Sequence, residues 1–249
     1  MNIGIEGKVF LVTGAANGIG AAATNILAHS GAMVAACDID KVQLDARWKN
    51  EVKNKKILTI KADISNQAEV QNVAKECVRV FGRIDAVLHF AAILNSHTID
   101  ELTPDIWDSV MAVNLRGTYL VAHAALPYMR IQGGGRIVFT ASDSARMGSL
   151  VSGPAYAASK GGVIALTKTL ALYTGKDNIT VNAVCPGLTM TGMSTGWTPS
   201  FIEAIVKRTP LGRLAEPEDI AKVAIFLASD AAGFMTGEIV EVNGGIHFD

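Results

Sequence analysis

Short runs of apolar residues alternate with amphipathic stretches of helical period along the whole chain, and this alternation limits the possible folds more than any other feature. Val9-Phe10-Leu11-Val12 reads as a strand, and residues 19–30 as the helix after it. Met33-Val34-Ala35-Ala36-Cys37 is a second strand, ended by Asp38; Ile57-Leu58-Thr59-Ile60 is a third, followed by a helix over residues 67–81. Further strands are expected at 86–90, 136–140, 180–184 and 238–242, with long helices at 105–131 and 155–174. Strands this apolar suit a sheet covered on both sides. The repeated β-α order predicts an α/β fold, a doubly wound parallel sheet of the Rossmann type with helices on both faces. A chain of 249 residues can bury one large core. No linker or repeat divides it, so residues 1–249 are expected to form a single domain.

Composition removes several classes of function. With 22 basic and 23 acidic residues, the net charge of -1 gives no electrostatic reason to expect nucleic acid or an anionic membrane as partner. Cys37, Cys77 and Cys185 are odd in number and widely spaced, which fits neither a disulfide scaffold nor a zinc ribbon. His29, His89, His97, His123 and His247 show no metal spacing, so no metal is expected. No apolar run approaches the roughly 20 residues of a membrane span. The start of the chain lacks a basic segment followed by a long apolar one. A cytoplasmic protein is the resulting expectation.

Thr13-Gly14-Ala15-Ala16-Asn17-Gly18-Ile19-Gly20 lies between the first strand and the first helix. Glycines in that position permit a tight turn and close approach of the backbone to a pyrophosphate, which the helix N-terminus attracts. The context makes this a dinucleotide-binding turn. Asp38, about 20 residues further on, is placed to accept hydrogen bonds from an adenosine ribose and to repel a 2′-phosphate. The nearest basic residue is Lys41, so NAD(H) is preferred to NADP(H). Asp63 either bonds the adenine amino group or caps the helix that follows it.

Tyr156 and Lys160 are four residues apart on an expected helix and project from the same face. An ammonium beside a phenol favours the ionised form. Acid/base work near neutrality requires the tyrosine pKa to fall by roughly 3 units, or about 4 kcal/mol. Lysine together with a cationic cofactor can supply that.

The glycine turn, the strand-end acid and the Tyr156/Lys160 pair together resemble the short-chain dehydrogenase/reductase family over essentially the whole chain. The family pattern Thr-Gly-x-x-x-Gly-x-Gly falls on Thr13, Gly14, Gly18 and Gly20. Asn114 matches its helix asparagine, and Pro186-Gly187-Leu188-Thr189-Met190-Thr191 its nicotinamide-side segment. The Asn-Ala-Gly element is replaced by His89-Phe90-Ala91-Ala92. The resemblance implies that Tyr156 is the acid/base, that Lys160 holds the nicotinamide ribose, and that Asn114 uses a helix irregularity to hold a water linking Lys160 to solvent. A serine should orient the substrate oxygen. Ser142 is preferred for that role, with Ser144 as the alternative; the usual spacing of 13 residues before the tyrosine falls on Asp143. Gly14, Asn17, Gly18, Ile19, Gly20, Asp38, Ile39, Asp63, Ile64 and Ala91 are the implied adenosine- and phosphate-side contacts. Pro186, Gly187, Thr189 and Thr191 are those of the carboxamide side.

The implied function is reversible transfer of a hydride between NAD(H) and a secondary alcohol or ketone, such as a small diol, a polyol or a cyclic alcohol. A 3-oxoacyl-(acyl-carrier-protein) reductase is the alternative enzyme, and a non-catalytic NAD-binding regulator the alternative of another class. Met190, Met193, Trp197 and Phe201 suggest a substrate lid over about residues 188–212, since Gly192, Gly196 and Pro199 interrupt regular helix there. Asp143 and Arg146 are expected near the pocket, either contacting a polar substrate or pairing with one another. Trp107 is expected in core or interface packing. Members of the family commonly form homotetramers through their long central helices.

Overall fold

Strand β1 (Val9–Thr13) is buried on both sides of its pleat: Val9 and Leu11 enter one hydrophobic cluster, while Phe10 and Val12 enter another. The computed structural model describes residues 3–54, 56–149, 151–194 and 196–248, with Met193 described by its backbone alone. Among these residues, β1 lies in a seven-stranded sheet with β2 (Met33–Asp38), β3 (Ile57–Lys61), β4 (Ala86–His89), β5 (Gly135–Thr140), β6 (Ile179–Pro186) and β7 (Ile239–Val242). All pairs are parallel, in the order β3-β2-β1-β4-β5-β6-β7. The strand order reverses between β1 and β4, where an open parallel sheet leaves a crevice beyond its carboxyl ends. Thr13 stands opposite Cys37 on one side and His89 on the other.

Helices α1 (Gly18–His29) and α10 (Pro217–Leu227) cover one face of the sheet. Helices α4 (Gln67–Phe81), α6 (Gly117–Ile131) and α8 (Gly153–Thr174) cover the other. Their ends follow local chemistry. Asn66 caps α4 through the N–H groups of Ala68 and Glu69, and Gly82 ends it in the left-handed conformation. Short helices α2 (Lys41–Arg47) and α3 (Lys49–Lys53) follow β2.

The helix expected over 105–131 is interrupted. Its first part is α5 (Pro104–Met111), Ala112–Arg116 form a π-helical turn, and α6 follows. The Asn114 side chain bonds outside its own helix, and Gly117 lies so close to Ile64 that a Cβ would stand 2.9 Å from its Cδ1. Those two constraints suit a locally widened turn. The segment beyond β6 also differs from expectation. Gly192–Ser194 form a 3₁₀ turn, and α9 (Pro199–Arg208) is a regular helix with Pro199 in its first turn. A proline there lacks only an N–H that would have no helical partner. Thr195 and the Met193 side chain lie outside the described residues.

Candidate active site

The glycine turn closes against the end of β4. A Cβ on Gly14 would sit 2.8 Å from the Ala91 nitrogen, and one on Gly20 only 2.2 Å from the Gly14 carbonyl oxygen. Gly14 and Gly18 adopt φ values of +70° and +54°. Asn17 caps α1 by accepting from the Gly18 N–H. Thr191 reaches the same place from the other side: its Cγ2 would be 3.3 Å from a Cβ on Gly18, and Asn17 Nδ2 would be 3.1 Å from one on Gly192. The turn expected to hold phosphates and the segment expected to hold the carboxamide therefore meet. Ile19 at the head of α1 packs against the face that carries Phe10 and Val12.

Asp38 Oδ2 accepts from the Ala16 N–H at 2.9 Å, which ties the end of β2 to the glycine turn, and Oδ1 accepts from the Asp40 N–H at 3.0 Å. Lys41 is engaged with Asp45 at 2.7 Å and the Thr59 carbonyl at 3.1 Å. Ile39 is exposed beside this edge. Asp63 does not cap α4, a role taken by Asn66; it accepts instead from the N–H and hydroxyl of Ser65. Ile64 buries its side chain in the core, so any contact with a nucleotide runs through its backbone. The Ala91 N–H is bonded to Thr13 Oγ1 at 3.3 Å. Pro186 ends β6, a Cβ on Gly187 would meet Asn243 at 2.9 Å, and Thr189 donates to the Gly187 carbonyl at 3.0 Å.

The four residues expected to carry chemistry converge at the ends of β5, the π-helical turn and α8. Lys160 Nζ lies 5.6 Å from the centre of the Tyr156 ring and donates to the Thr140 carbonyl at 2.7 Å. Asn114 accepts from the Ile93 N–H, donates to the Ile93 carbonyl and donates to Ser159 Oγ at 3.2 Å. Ser159 in turn donates to the Tyr156 carbonyl at 2.7 Å. The asparagine thus braces the loop after β4 and the helix bearing the tyrosine. Its main-chain carbonyl accepts from the Thr118 hydroxyl at 2.6 Å.

Ser142 hydrogen-bonds Tyr156, which favours the phenolate. Ser144 lies further round, where its hydroxyl meets that of Ser152 at 2.9 Å. Ser142 Oγ is also 3.3 Å from Asp143 Oδ1. The serine has one proton, so phenolate and carboxylate compete for it. Burial pushes the Tyr156 phenol up to about 12, opposed by Ser142 and reinforced by the nearby Asp143 charge. Burial likewise draws the Lys160 ammonium down to about 8. Desolvation is the largest influence on both groups, and the ionisation of the phenol needed near neutrality calls for a further positive charge.

Comparison with known proteins fits this geometry. A family model described as enoyl-(acyl carrier protein) reductase matches residues 14–247. The 3-oxoacyl-(acyl-carrier-protein) reductase of Thermotoga maritima is 38% identical over 243 residues, covering 97% of this chain and 98% of its own. The meso-2,3-butanediol dehydrogenase of Serratia marcescens is 35% identical, covering 96% and 94%. A crystal structure of a short-chain dehydrogenase/reductase from Brucella melitensis, titled glucose/ribitol dehydrogenase, superposes with a TM-score of 0.92 at 32% identity, covering 98% of each chain. The chain belongs to the short-chain dehydrogenase/reductase family.

It is accordingly an oxidoreductase of the kind that uses a nicotinamide cofactor. In this short-chain dehydrogenase/reductase β4 ends on His89. His89, buried, stands 2.7 Å through Nδ1 from Thr13 Oγ1 and packs edge-on to Phe139. Burial and the Lys160 charge draw its pKa down to about 3, so the ring is neutral. Of the other histidines, His29 bonds the Asn25 carbonyl, His97 pairs with Asn95 and His123 stacks on Tyr119, while His247 lies close enough to Asp143 to favour its carboxylate. Arg146 pairs with Glu241 at 3.3 Å rather than with Asp143. Trp107 is partly exposed on α5. Two contributors escaped the sequence reading: the Thr140 carbonyl, a backbone group any residue supplies, and Ser159, whose hydroxyl matters only because the π turn faces it. A cavity of about 750 Å³ lies beyond Glu241, lined by Leu188, Ile205, Leu211, Arg213 and His247 but by none of the four catalytic candidates. Among the described residues no helix is long and apolar enough to cross a membrane.

Proposed function

We propose that this enzyme interconverts secondary alcohols and ketones with NAD(H), using Tyr156 as acid/base. The observation that carries the reading is the convergence of Ser142, Tyr156, Lys160 and Asn114 beside the meeting point of the glycine turn and Thr191. A bound nicotinamide dinucleotide supplies hydride transfer and, when oxidised, a positive charge beside the tyrosine. Gly14, Asn17, Gly18, Ile19, Gly20, Ala91 and Ile64 would hold its phosphates and adenosine side. Asp38, Ile39 and Asp63 would border the ribose and base, and Pro186, Gly187, Thr189 and Thr191 the carboxamide. Tyr156 takes the proton of the alcohol or returns it to the carbonyl oxygen. Ser142 holds that oxygen by a hydrogen bond that strengthens as charge develops. Lys160 anchors the ribose and, with Asn114, passes the proton toward solvent.

Asp38 supports NAD over NADP, because a carboxylate at that edge repels a 2′-phosphate and Lys41 is already held by Asp45 and Thr59. The similarity to the Thermotoga 3-oxoacyl reductase favours a second reading, reduction of a 3-oxoacyl thioester. The exposed Tyr119, Leu172 and Tyr173 on the long helices support a homotetramer, and the sequence supports a single cytoplasmic domain with residues 188–212 as its lid. A panel of diols, polyols, ketones and a 3-oxoacyl thioester, run with both nucleotides and followed by nicotinamide absorbance, tests the proposal. NAD-linked turnover of a secondary alcohol is expected, and Tyr156→Phe should lower kcat by at least about 100-fold while nucleotide still binds. Nucleotide binding without turnover of any compound would indicate a regulator instead.

A further inference from the structure

Asp143 occupies the position at which a helix cap would stand, before α7 (Ser144–Met147), but does no capping. Its backbone is helical, at φ -57° and ψ -27°, and its side chain makes no cap hydrogen bond. A capping residue normally sits in the β region. The side chain is only 6% exposed, and among the described residues it is in no ion pair. Arg146, one turn on, is paired with Glu241. The carboxylate meets the catalytic centre: Oδ1 is 3.3 Å from Ser142 Oγ, and its charge is felt by Tyr156. Burial pushes its carboxyl above the usual carboxylate range, opposed by the Ser142 hydroxyl and the Ser144 N–H; the Glu241 charge adds to the rise and His247 offsets part of it. A buried carboxylate this poorly neutralised is costly unless something else completes its hydrogen bonds.

We propose that Asp143 is a specificity-determining residue that accepts a hydrogen bond from the second hydroxyl of a vicinal diol or α-hydroxy ketone. The inference rests on the alcohol dehydrogenase reading above. Oxygens on adjacent carbons are separated by about a hydrogen-bond length, close to the Ser142 Oγ to Asp143 Oδ1 separation. A substrate whose reacting oxygen lies on Ser142 and Tyr156 therefore brings its neighbouring hydroxyl to Asp143. No bond of that hydroxyl forms or breaks; its proton points at the carboxylate throughout. The same carboxylate repels the carbonyl oxygens of a 3-oxoacyl thioester, which bring no donor. Once a diol is bound, the Ser142 proton is free for the reacting oxygen, because Asp143 has another donor.

The test compares meso-butane-2,3-diol with butan-2-ol in the wild-type enzyme, Asp143→Asn and Asp143→Ser, with Tm recorded for each. A wild-type preference for the diol is expected. In either variant, kcat/KM for the diol should fall about 10- to 100-fold further than for butan-2-ol, mainly through KM, the scale of one hydrogen bond to a charged group. A merely structural carboxylate would depress both substrates equally, and an unchanged diol-to-alcohol ratio in both variants would overturn the proposal while leaving the dehydrogenase reading intact. A wild-type enzyme that turns over neither compound but reduces a 3-oxoacyl thioester would defeat the proposal together with the small-alcohol reading on which it rests.

Discussion

At the scale of single residues, the candidate catalytic centre is a contest for one proton. Ser142 Oγ faces both Tyr156 and Asp143, whereas Ser144 bonds Ser152 across the α7–α8 junction. Removing the Ser142 hydroxyl takes away the hydrogen bond that favours the phenolate. Ser142→Ala is expected to lower kcat/KM by about 100-fold or more, the scale of one lost transition-state donor. Ser144→Ala should cost no more than a few-fold. Steady-state kinetics on the two variants decides between them, and full activity in Ser142→Ala would overturn the assignment. The Tyr156–Lys160 spacing was legible in the sequence. The direction of the phenol's shift in the free protein was not, because it depends on how completely folding removes water from the ring.

Elements act here through close approach. Gly20 lets α1 enter against the glycine turn, and any Cβ there would overlap the Gly14 carbonyl oxygen. Gly20→Ala is therefore expected to destabilise the protein by about 1–3 kcal/mol, the range for overpacking a tight site. It should also weaken nucleotide binding, since the turn must shift. Denaturant melts and a nucleotide titration measure the two effects, and an unperturbed variant would show that the turn yields freely. The glycine pattern is readable because only glycine tolerates such contacts. The break between α5 and α6 was expected at Asn114 through the family resemblance alone, not from periodicity. A run of residues with good helical period gives no sign of where one turn will widen. Asn114 was identifiable as the family's helix asparagine, but its partners, the Ile93 backbone and Ser159, are distant in sequence. α9 was hidden by Pro199, a helix breaker in the interior and a helix starter at the first position.

For the whole molecule, the junction of β1 and β4 couples the site to global stability. His89 is neutral in the folded protein, with a pKa of about 3, while an unfolded imidazole titrates near its ordinary value of about 6.5. Between those values the unfolded chain binds a proton that the folded chain does not. Stability therefore falls as pH drops below about 6.5, and is regained as pH rises through that value, by up to about tenfold in the unfolding equilibrium per pH unit. His89→Asn should reduce this acid sensitivity, measured as the difference in denaturant midpoint between pH 5 and pH 7. An identical difference in wild type and variant would remove His89 from the account. The sequence by itself determined the parallel sheet, its position along the chain, the glycine turn and the Tyr156–Lys160 pair. These rest on period and local spacing, which the chain carries in its covalent order. Only the tertiary structure decided which serine faces the tyrosine, that Arg146 pairs with Glu241 and leaves Asp143 beside Ser142, and that His89 is buried against Thr13. Those outcomes depend on burial and on contacts between segments far apart in sequence, where the cost of desolvating a charge is set.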